Sequence, residues 1–299
     1  MNTIQPGVMS AFLTPFNEDG TVKENAIGEL ADFQISRGIG GLYVCGSTGE
    51  GMVMSAEERM RVAECAVRAA AGRTQVIVHV GSPDEGTSVA LARHAVRIGA
   101  QGLSAVPPYY YKHHRDYVTS YYKAIAAATE LPFLVYFIPS LVVGLDTATL
   151  ESLMQVPHIV GMKWTEDNLE PLYNFKERHP DKLAFMGHDA MMLSALILGA
   201  NGGIGAFYNV MPAGFSRVYR SFMEGDLAAA VEEQRQIDHF IAVIKKYMLS
   251  ANQVPLKAVL KACGVDVGVP RRPVPPIAQE AEEALVRDLK KDGFFSIYG

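Results

Sequence analysis

The feature that most constrains the fold is a regular alternation along residues 1–225. Short apolar runs of strand length alternate there with longer segments whose apolar residues recur at helical spacing. The predicted strands are 8–12, 41–45, 75–80, 102–106, 132–138, 159–164, 183–186 and 202–207. Continuous apolar runs of this kind are typical of strands that are buried on both faces, as in parallel sheets.

The segments between the strands carry helix signals. One helix is predicted for 56–71, because Ser55 and Glu58 have the spacing of a capping box. Another is predicted for 87–98, since Gly99 follows it directly and glycine commonly ends helices. Eight strands with intervening helices in about 225 residues predict an α/β fold, the (β/α)₈ or TIM barrel. A doubly wound open sheet is the alternative, because a count of strands does not prove closure.

The strand signal stops after Gly225. Two helices are predicted at 226–248 and 253–263, and a proline-rich connector, 270–276, leads to a last amphipathic helix that ends near Lys291. We therefore divide the chain into a (β/α)₈ barrel that carries the active site, residues 1–225, and a C-terminal helical extension, residues 226–299.

Composition argues against several classes of partner. Lys and Arg total 27 and Asp and Glu total 32, a net charge of −5, and no basic stripe is present, so nucleic acid is not expected as a partner. Three widely spaced cysteines, Cys45, Cys65 and Cys263, form neither a disulfide framework nor a metal-binding pair. With no signal peptide and no long apolar window, we expect a soluble, cytoplasmic protein that does not bind membranes.

One lysine stands out as a candidate nucleophile. Lys163 lies near the end of the apolar strand 159–164, where a barrel places its chemistry, whereas nearly all other lysines fall in segments with a solvated pattern. Burying an ammonium is costly, so Lys163 is expected either to be paired or to serve as a neutral amine that attacks carbonyl compounds. A lysine that reaches solvent from the strand end is the simpler alternative.

Two further elements offer chemistry at strand ends. The loop 45–51 carries Ser47 and Thr48 among glycines, and its hydroxyl and N–H groups suit a carboxylate or a phosphate, although an ordinary turn has the same composition. Tyr136 lies late in the fifth strand, where its hydroxyl is either a proton relay or part of a packed core residue.

Residues after strands six to eight complete the predicted mouth of the barrel. Asp189 is a candidate acceptor for substrate hydroxyls or, alternatively, a helix N-cap. His79 is expected to be a satisfied core histidine, and no His, Asp or Glu set has the spacing of a metal site. The residues assigned to substrate binding besides Ser47 and Thr48 are Thr165, Gly187, Asp189, Gly205 and Ala206.

Together these motifs resemble a known family. The ordered segments that carry the resemblance are 46–50 (GSTGE), Tyr109-Tyr110, Tyr136-x-Ile138-Pro139, Gly161-x-Lys163 and 202–205 (GGIG). In this order they are similar to the N-acetylneuraminate lyase and dihydrodipicolinate synthase family of Schiff-base class I aldolases. The opening segment 7–16 and the tail segment 270–273 are similar too, so the resemblance covers essentially the whole chain.

The resemblance implies specific roles. It implies a barrel with a C-terminal helical extension, commonly a homotetramer, that acts on pyruvate or another 2-oxo acid without a metal or organic cofactor. Lys163 matches the Schiff-base lysine and Tyr136 the proton-relay tyrosine. Ser47 and Thr48 match the hydroxyl pair that binds the pyruvate carboxylate and continues the relay. Tyr110 matches a tyrosine that a neighbouring subunit contributes.

The resemblance is closer to the N-acetylneuraminate lyase branch. The synthase branch usually has an arginine after the Tyr-x-x-Pro turn, but residues 140–144 contain no cation. Leu141 and the run of tyrosines 109–111 are more similar to the lyase branch. The sequence nevertheless departs from that branch, since Ala190 and Ala206 stand where groups that bind a polyhydroxyl tail are expected.

These features predict a carbon–carbon lyase that forms a Schiff base with a 2-oxo acid and whose second substrate is an aldehyde. The bulk of Phe137 and Trp164, with the two alanines, predicts a more apolar pocket than a sialic acid site needs. Alternation along the strand, however, places Trp164 on the side opposite Lys163, towards the helices. A condensation like that of dihydrodipicolinate synthase, another 2-oxo-acid aldolase or dehydratase, and a non-catalytic 2-oxo-acid sensor are the alternatives.

Overall fold

A computed structural model describes residues 3–248, 251 and 253–299. Its centre is a closed barrel of eight parallel strands, in which each strand pairs with the next and the last pairs with the first. The strands are β1 (Gly7–Ala11), β2 (Gly41–Val44), β3 (Gln75–His79), β4 (Gly102–Ala105), β5 (Phe133–Phe137), β6 (Ile159–Trp164), β7 (Leu183–Met186) and β8 (Gly202–Gly205). The predicted barrel is confirmed, and the β1–β8 pairing excludes the open sheet.

Helices surround this barrel and form the C-terminal region. Those that follow β1 to β8 in turn are α1 (Glu24–Ile35), α2 (Ala56–Ala70), α3 (Glu85–Arg97), α4 (Arg115–Ala127), α5 (Thr147–Leu153), α6 (Glu170–Arg178), α7 (Met192–Ile197) and α8 (Pro212–Met223). Beyond residue 225 lie α9 (Leu227–Lys245), α10 (Gln253–Ala262), α11 (Gln279–Lys291) and α12 (Phe294–Ile297). The C-terminal region is therefore helical, as expected, and the division at 225 stays a prediction.

Several predicted boundaries were wrong by one or two residues, for local reasons. The strand predicted for 202–207 ends at Gly205, because residues 207–209 turn into a short 3₁₀ helix. The helix predicted from residue 87 begins at Glu85, since the Asp84 side chain accepts the N–H of Thr87 at 2.8 Å and caps the helix. The capping box of Ser55 and Glu58 is present at the start of α2.

Side chains on β5 and β6 alternate between the barrel interior and the helix layer. Tyr136 packs inside the barrel, whereas its neighbour Phe137 packs between strands and helices. Trp164 also faces the helices, where its ring stacks on Phe137 with centroids 4.4 Å apart. The expectation that Phe137 and Trp164 make the pocket more apolar was therefore wrong, because strand alternation turns both side chains away from it.

Candidate active site

A cavity of about 520 Å³ opens at the carboxyl ends of the barrel strands. Its wall includes eight of the ten residues predicted for the site: Ser47, Thr48, Tyr136, Lys163, Thr165, Gly187, Asp189 and Ala206. They come from the ends of five strands and from the loops that follow them. Barrel closure thus brings together groups that are far apart in the sequence, at the end of the barrel where catalysis occurs in this fold.

Lys163 projects into this cavity from β6. It is paired in register with Tyr136 of β5, and the residue as a whole is only 4% exposed, so its side chain does not escape to solvent. Its Nζ lies 4.3 Å from the ring centroid of Tyr136 and 4.6 Å from that of Tyr43. Within the described residues Nζ makes no ion pair. Lys163 is thus buried between aromatic faces, with no carboxylate in contact to bind its amine.

Tyr43 contributes a wall to the lysine pocket that sequence reasoning missed. Its hydroxyl donates a hydrogen bond to Ser104 Oγ at 2.9 Å, and its ring meets that of Tyr136 edge to face at 6.1 Å. Burial raises the pKa of Tyr43 well above its usual range, so the phenol stays protonated at neutral pH. The residue is therefore a neutral aromatic wall for Lys163.

His79 has the structural role expected of it. Its Nε2 accepts the backbone N–H of Val106 at 3.1 Å, and the ring is buried against Tyr43 and Tyr136. Burial lowers the pKa of His79 well below its usual range, and the nearby Arg59 guanidinium acts in the same direction. The imidazole is neutral, and its hydrogen bond to the backbone accounts for its presence in the core.

The loop after β2 presents Ser47 and Thr48 to the cavity. Ser47 is exposed and Thr48 half-buried, so both hydroxyls are accessible to a ligand. The loop is closed by two backbone hydrogen bonds, from Glu50 N–H to the Ser47 carbonyl at 3.1 Å and from Gly51 N–H to the Gly46 carbonyl at 3.0 Å. It is therefore a defined turn, which suits the binding of a small anion.

Thr165, directly after β6, has a buried hydroxyl without a partner. The residue is 8% exposed and lines the cavity, and its Oγ1 makes no hydrogen bond to any described residue. Buried hydroxyls are normally satisfied, because an unmade hydrogen bond costs about 1–3 kcal/mol. A substrate that enters the cavity would supply the missing partner.

Asp189 lines the cavity and is held in place by the turn after β8. Its Oδ1 accepts the backbone N–H of Phe207 at 2.8 Å, so it links two strand ends, and it does not cap the helix that follows it. Desolvation raises the pKa of Asp189 to about 6, although that N–H and Lys163 partly oppose the shift. The carboxyl is therefore protonated more readily than an ordinary aspartate.

Two predicted residues lie outside the cavity wall. Gly205 does not line it; a Cβ there would come within 2.3 Å of Asp189 Oδ1, so the glycine makes room for that carboxyl. The assignment of Gly205 to substrate binding stays a prediction. Tyr110 is 88% exposed in a left-handed conformation and takes no part in the cavity of its own chain. Its contribution to a neighbouring subunit stays a prediction.

The cavity wall also holds a pair of polar residues, His188 and Asp167, to which the sequence analysis assigns no role. His188 Nδ1 lies 2.5 Å from Asp167 Oδ1, and both residues line the cavity. Ile241 and Lys245 of α9 also reach the wall, so the C-terminal region contributes to a site expected from residues 1–225 alone. The position of His188 between Gly187 and Asp189 was a usable signal, whereas nothing local in α9 indicates the barrel mouth.

The expectation that Lys163 is the exceptional buried lysine was also wrong. Lys257, in the amphipathic helix α10, is 3% exposed and lies 2.9 Å from the Glu50 carboxylate. A lysine on a helix looks solvated in sequence, because its ion-pair partner comes from a distant segment. Unlike Lys163, Lys257 is paired and lies outside the cavity.

Comparison with known proteins places the chain in a family. Residues 5–292 match the model of the dihydrodipicolinate synthetase family. The chain belongs to this family. A family member from Rhizobium meliloti named N-acetylneuraminate lyase is 34% identical over 283 residues, which cover 94% of this chain and 93% of the relative.

Solved structures of the family agree with the barrel described above. The structure of CdNal from Clostridium difficile in complex with mannosamine has a TM-score of 0.92 and 29% identity, covering 97% of this chain and 99% of that one. Dihydrodipicolinate synthase from Aquifex aeolicus has a TM-score of 0.89 and 31% identity, covering 96% and 97%. Family membership and the named relatives confirm the predicted class, a carbon–carbon lyase of the Schiff-base class I aldolases.

The described residues contain neither a membrane-spanning helix nor a metal-binding cluster. None of the helices that the structure describes is long and apolar enough to cross a membrane. Within the same residues, no group of three or more His, Cys, Asp and Glu side chains is arranged to hold a metal ion.

Proposed function

We propose that this family member is a pyruvate lyase most like N-acetylneuraminate lyase, with Lys163 as its nucleophile. The observation that carries the proposal is the buried Lys163 amine beside Tyr136, in a cavity that Ser47 and Thr48 also line. Within the described residues this amine makes no ion pair. The substrates are a 2-oxo acid and an aldehyde. A binding site without chemistry would not need an amine nucleophile among aromatic walls.

The reaction in the cleavage direction begins at the 2-oxo group. The Lys163 amine attacks C2, and loss of water leaves an iminium ion. When the C4 hydroxyl loses its proton, the C3–C4 bond breaks, the hydroxyl becomes the aldehyde carbonyl, and the bonding electrons enter the iminium to form an enamine. Protonation of the enamine at C3 and hydrolysis release pyruvate and restore the amine.

The side chains around Lys163 bind the substrate and transfer protons. Ser47, Thr48 and the loop N–H groups hold the 2-oxo acid carboxylate. The Tyr136 hydroxyl carries protons, because it belongs to the ring that lies next to Nζ. Thr165 and Asp189 face the part of the cavity left for the aldehyde half, where the Thr165 hydroxyl and the Asp189 carboxyl bind substrate hydroxyls.

We further propose that the active assembly is a homotetramer to which Tyr110 contributes across a subunit boundary. The support is its exposure: a tyrosine that extends from a strand end into solvent, beside the exposed Tyr111, is available to a neighbouring copy. Light scattering gives the assembly state, and Tyr110→Phe tests whether its hydroxyl takes part in turnover.

The experiment that tests the proposed function is a product screen. Purified protein is incubated with pyruvate and a panel of sugar, aliphatic and aromatic aldehydes, and new 2-oxo acids are detected by mass spectrometry and NMR. We expect an aldol product from at least one aldehyde, and none with Lys163→Ala. Pyruvate binding without any product across the panel would instead favour a 2-oxo-acid sensor.

A prediction about specificity arises from the two alanines in the wall. Ala190 and Ala206 both line the cavity and offer no hydrogen bond to a polyhydroxyl tail. Each missing hydrogen bond is worth about 0.5–1.5 kcal/mol. We expect kcat/KM for N-acetylneuraminate to be lower than for shorter 2-oxo acids, and Ala190→Glu/Ala206→Ser to raise it about tenfold.

The control for this prediction is Ala228→Glu, which adds a carboxylate to an exposed alanine in the first turn of α9, outside the cavity wall. It should leave kcat/KM unchanged for every substrate. Efficient cleavage of N-acetylneuraminate by the unmodified chain, unaltered by the double substitution, would mean that these two positions do not set specificity.

A second prediction arises from the His188–Asp167 pair. With Nδ1 engaged by Asp167, His188 keeps Nε2 for the aldehyde half of the substrate. We expect His188→Gln to raise KM for the cleaved 2-oxo acid about 2- to 12-fold, the equivalent of one hydrogen bond. The concentration of pyruvate alone needed for half-maximal Schiff-base trapping should not change.

The matched control is His239→Gln, because His239 pairs with Asp292 at 2.9 Å in a similar surface arrangement away from the cavity. That variant should change neither KM for the cleaved 2-oxo acid nor the pyruvate concentration for half-maximal trapping. If His188→Gln raised KM for the cleaved 2-oxo acid and the half-saturating pyruvate concentration equally, His188 would support the whole site. It would then not bind the aldehyde half specifically.

A further inference from the structure

The loop that presents Ser47 and Thr48 has an unfavourable backbone. Two of its residues that are not glycine, Cys45 and Glu50, adopt left-handed conformations, with φ of 61° and 57°. Such conformations cost free energy for residues with a Cβ and persist only where the surroundings impose them. Contacts outside the loop must therefore hold its shape.

The Glu50 side chain makes these contacts, and it points away from the cavity. Glu50 is 5% exposed and does not line the cavity wall. Its Oε1 lies 2.9 Å from Lys257 Nζ, and its Oε2 accepts the backbone N–H of Arg271 at 2.7 Å. Both partners belong to the C-terminal region, one in α10 and one in the segment that follows it.

Lys257 also links Glu50 to the segment that follows β1. Its Nζ donates hydrogen bonds to the carbonyl oxygens of Thr14, at 2.9 Å, and Val269, at 2.7 Å. Thr14 in turn donates its hydroxyl to the carbonyl of Gly49, next to Glu50, at 2.6 Å. Burial lowers the pKa of Lys257 and the Glu50 carboxylate opposes that shift, so the two charges stabilise each other in the interior.

A backbone hydrogen bond links Glu50 directly to Ser47. The Glu50 N–H donates to the Ser47 carbonyl at 3.1 Å, which closes the turn around Ser47 and Thr48. A shift of the Glu50 side chain therefore moves the turn, because the intervening residues form a single hydrogen-bonded loop.

We propose that Glu50 and Lys257 are positioning residues through which the C-terminal region sets the geometry of the Ser47–Thr48 loop and hence the affinity for the 2-oxo acid carboxylate. The inference rests on the proposed function, in which this loop binds that carboxylate. Neither residue touches the substrate, since both lie outside the cavity. Their effect is exerted on binding and not on the chemical step.

Because Glu50 and Lys257 form a buried ion pair, variants can separate an effect on loop geometry from an effect on folding stability. Loss of one partner leaves an uncompensated buried charge and destabilises the protein strongly, whereas replacement of both by neutral groups is far less costly. The double variant Glu50→Gln/Lys257→Met should therefore recover thermal stability relative to either single variant. It should not recover the loop geometry, because the charge-assisted contacts that hold the loop are gone.

The experiment measures Schiff-base trapping by borohydride as a function of pyruvate concentration, together with the melting temperature, on the full chain. For the double variant we expect the half-saturating pyruvate concentration to rise roughly 10- to 100-fold, the effect of a small misplacement of a binding group. The trapping rate at saturating pyruvate should stay within about threefold of the unmodified chain. Glu50→Asp, which keeps the charge but shortens the side chain, should give a smaller rise in the same constant.

The matched control is Lys261→Met, one turn further along α10, where the exposed lysine forms an ion pair with the half-buried Glu282 at 2.8 Å. It should change neither trapping nor melting temperature appreciably. The proposal would be overturned if the half-saturating pyruvate concentration were unchanged in a folded double variant or in Glu50→Asp. It would also be overturned if only the trapping rate at saturating pyruvate fell. Absence of trapping in the unmodified chain would instead contradict the proposed function.

Discussion

Lys163→Ala will abolish covalent capture of pyruvate. Borohydride treatment of the unmodified chain with pyruvate should add one reduced pyruvyl group to Lys163, because reduction of the iminium leaves a stable secondary amine. The substitution removes the attacking amine, so neither adduct nor turnover should remain above background. Peptide mass spectrometry locates the adduct, and a product assay measures the turnover.

Folding should survive this change. Lys163 makes no ion pair within the described residues and contacts the rings of Tyr43 and Tyr136, so removal of its charge leaves no buried carboxylate unpaired. Lys163→Met, which keeps an apolar chain between the rings, should be equally inactive and at least as stable as Lys163→Ala. The buried Lys257 is the sharpest internal control, and an adduct found there would refute the assigned nucleophile.

Tyr136→Phe will lower turnover by roughly 10²- to 10⁴-fold, the usual size of a general acid–base contribution. The substitution keeps the ring that packs against Lys163 and deletes only the hydroxyl that carries protons. Pyruvate should therefore still bind, and slow trapping should still be detectable at long incubation. Steady-state kinetics and trapping rates on the same preparation separate the two effects.

The matched control for this prediction is Tyr122→Phe. Tyr122 is also buried, and its hydroxyl donates to the carbonyl oxygen of Ala105 at 3.0 Å, but it does not line the cavity. Its loss should cost about 1 kcal/mol of folding free energy and leave turnover intact. If the two variants lose activity equally, or if Tyr136→Phe loses less than about threefold, Tyr136 is a packing residue.

Sequence patterns were sufficient for the barrel and for the residues at its mouth. An apolar run of strand length has few ways to bury both faces, and eight of them separated by helices leave the closed parallel barrel as the natural arrangement. Lys163 was identifiable because its immediate neighbours are apolar, a local property. Strand alternation already placed Trp164 on the opposite side from Lys163, and the stacking of Trp164 on Phe137 shows both in the helix layer.

The contacts that join distant segments could not be predicted from these sequence patterns. Glu50 with Lys257, and Asp167 with His188, are pairs whose partners lie in different segments, and neither segment by itself indicates its partner. Their burial or orientation depends on which loops the closed barrel brings side by side, and on where α9 and α10 pack across its mouth. Local backbone preference and apolar periodicity specify each helix and strand. An ion pair between two such elements forms only when the folded chain has brought them side by side. These pairs were therefore decided by the tertiary structure.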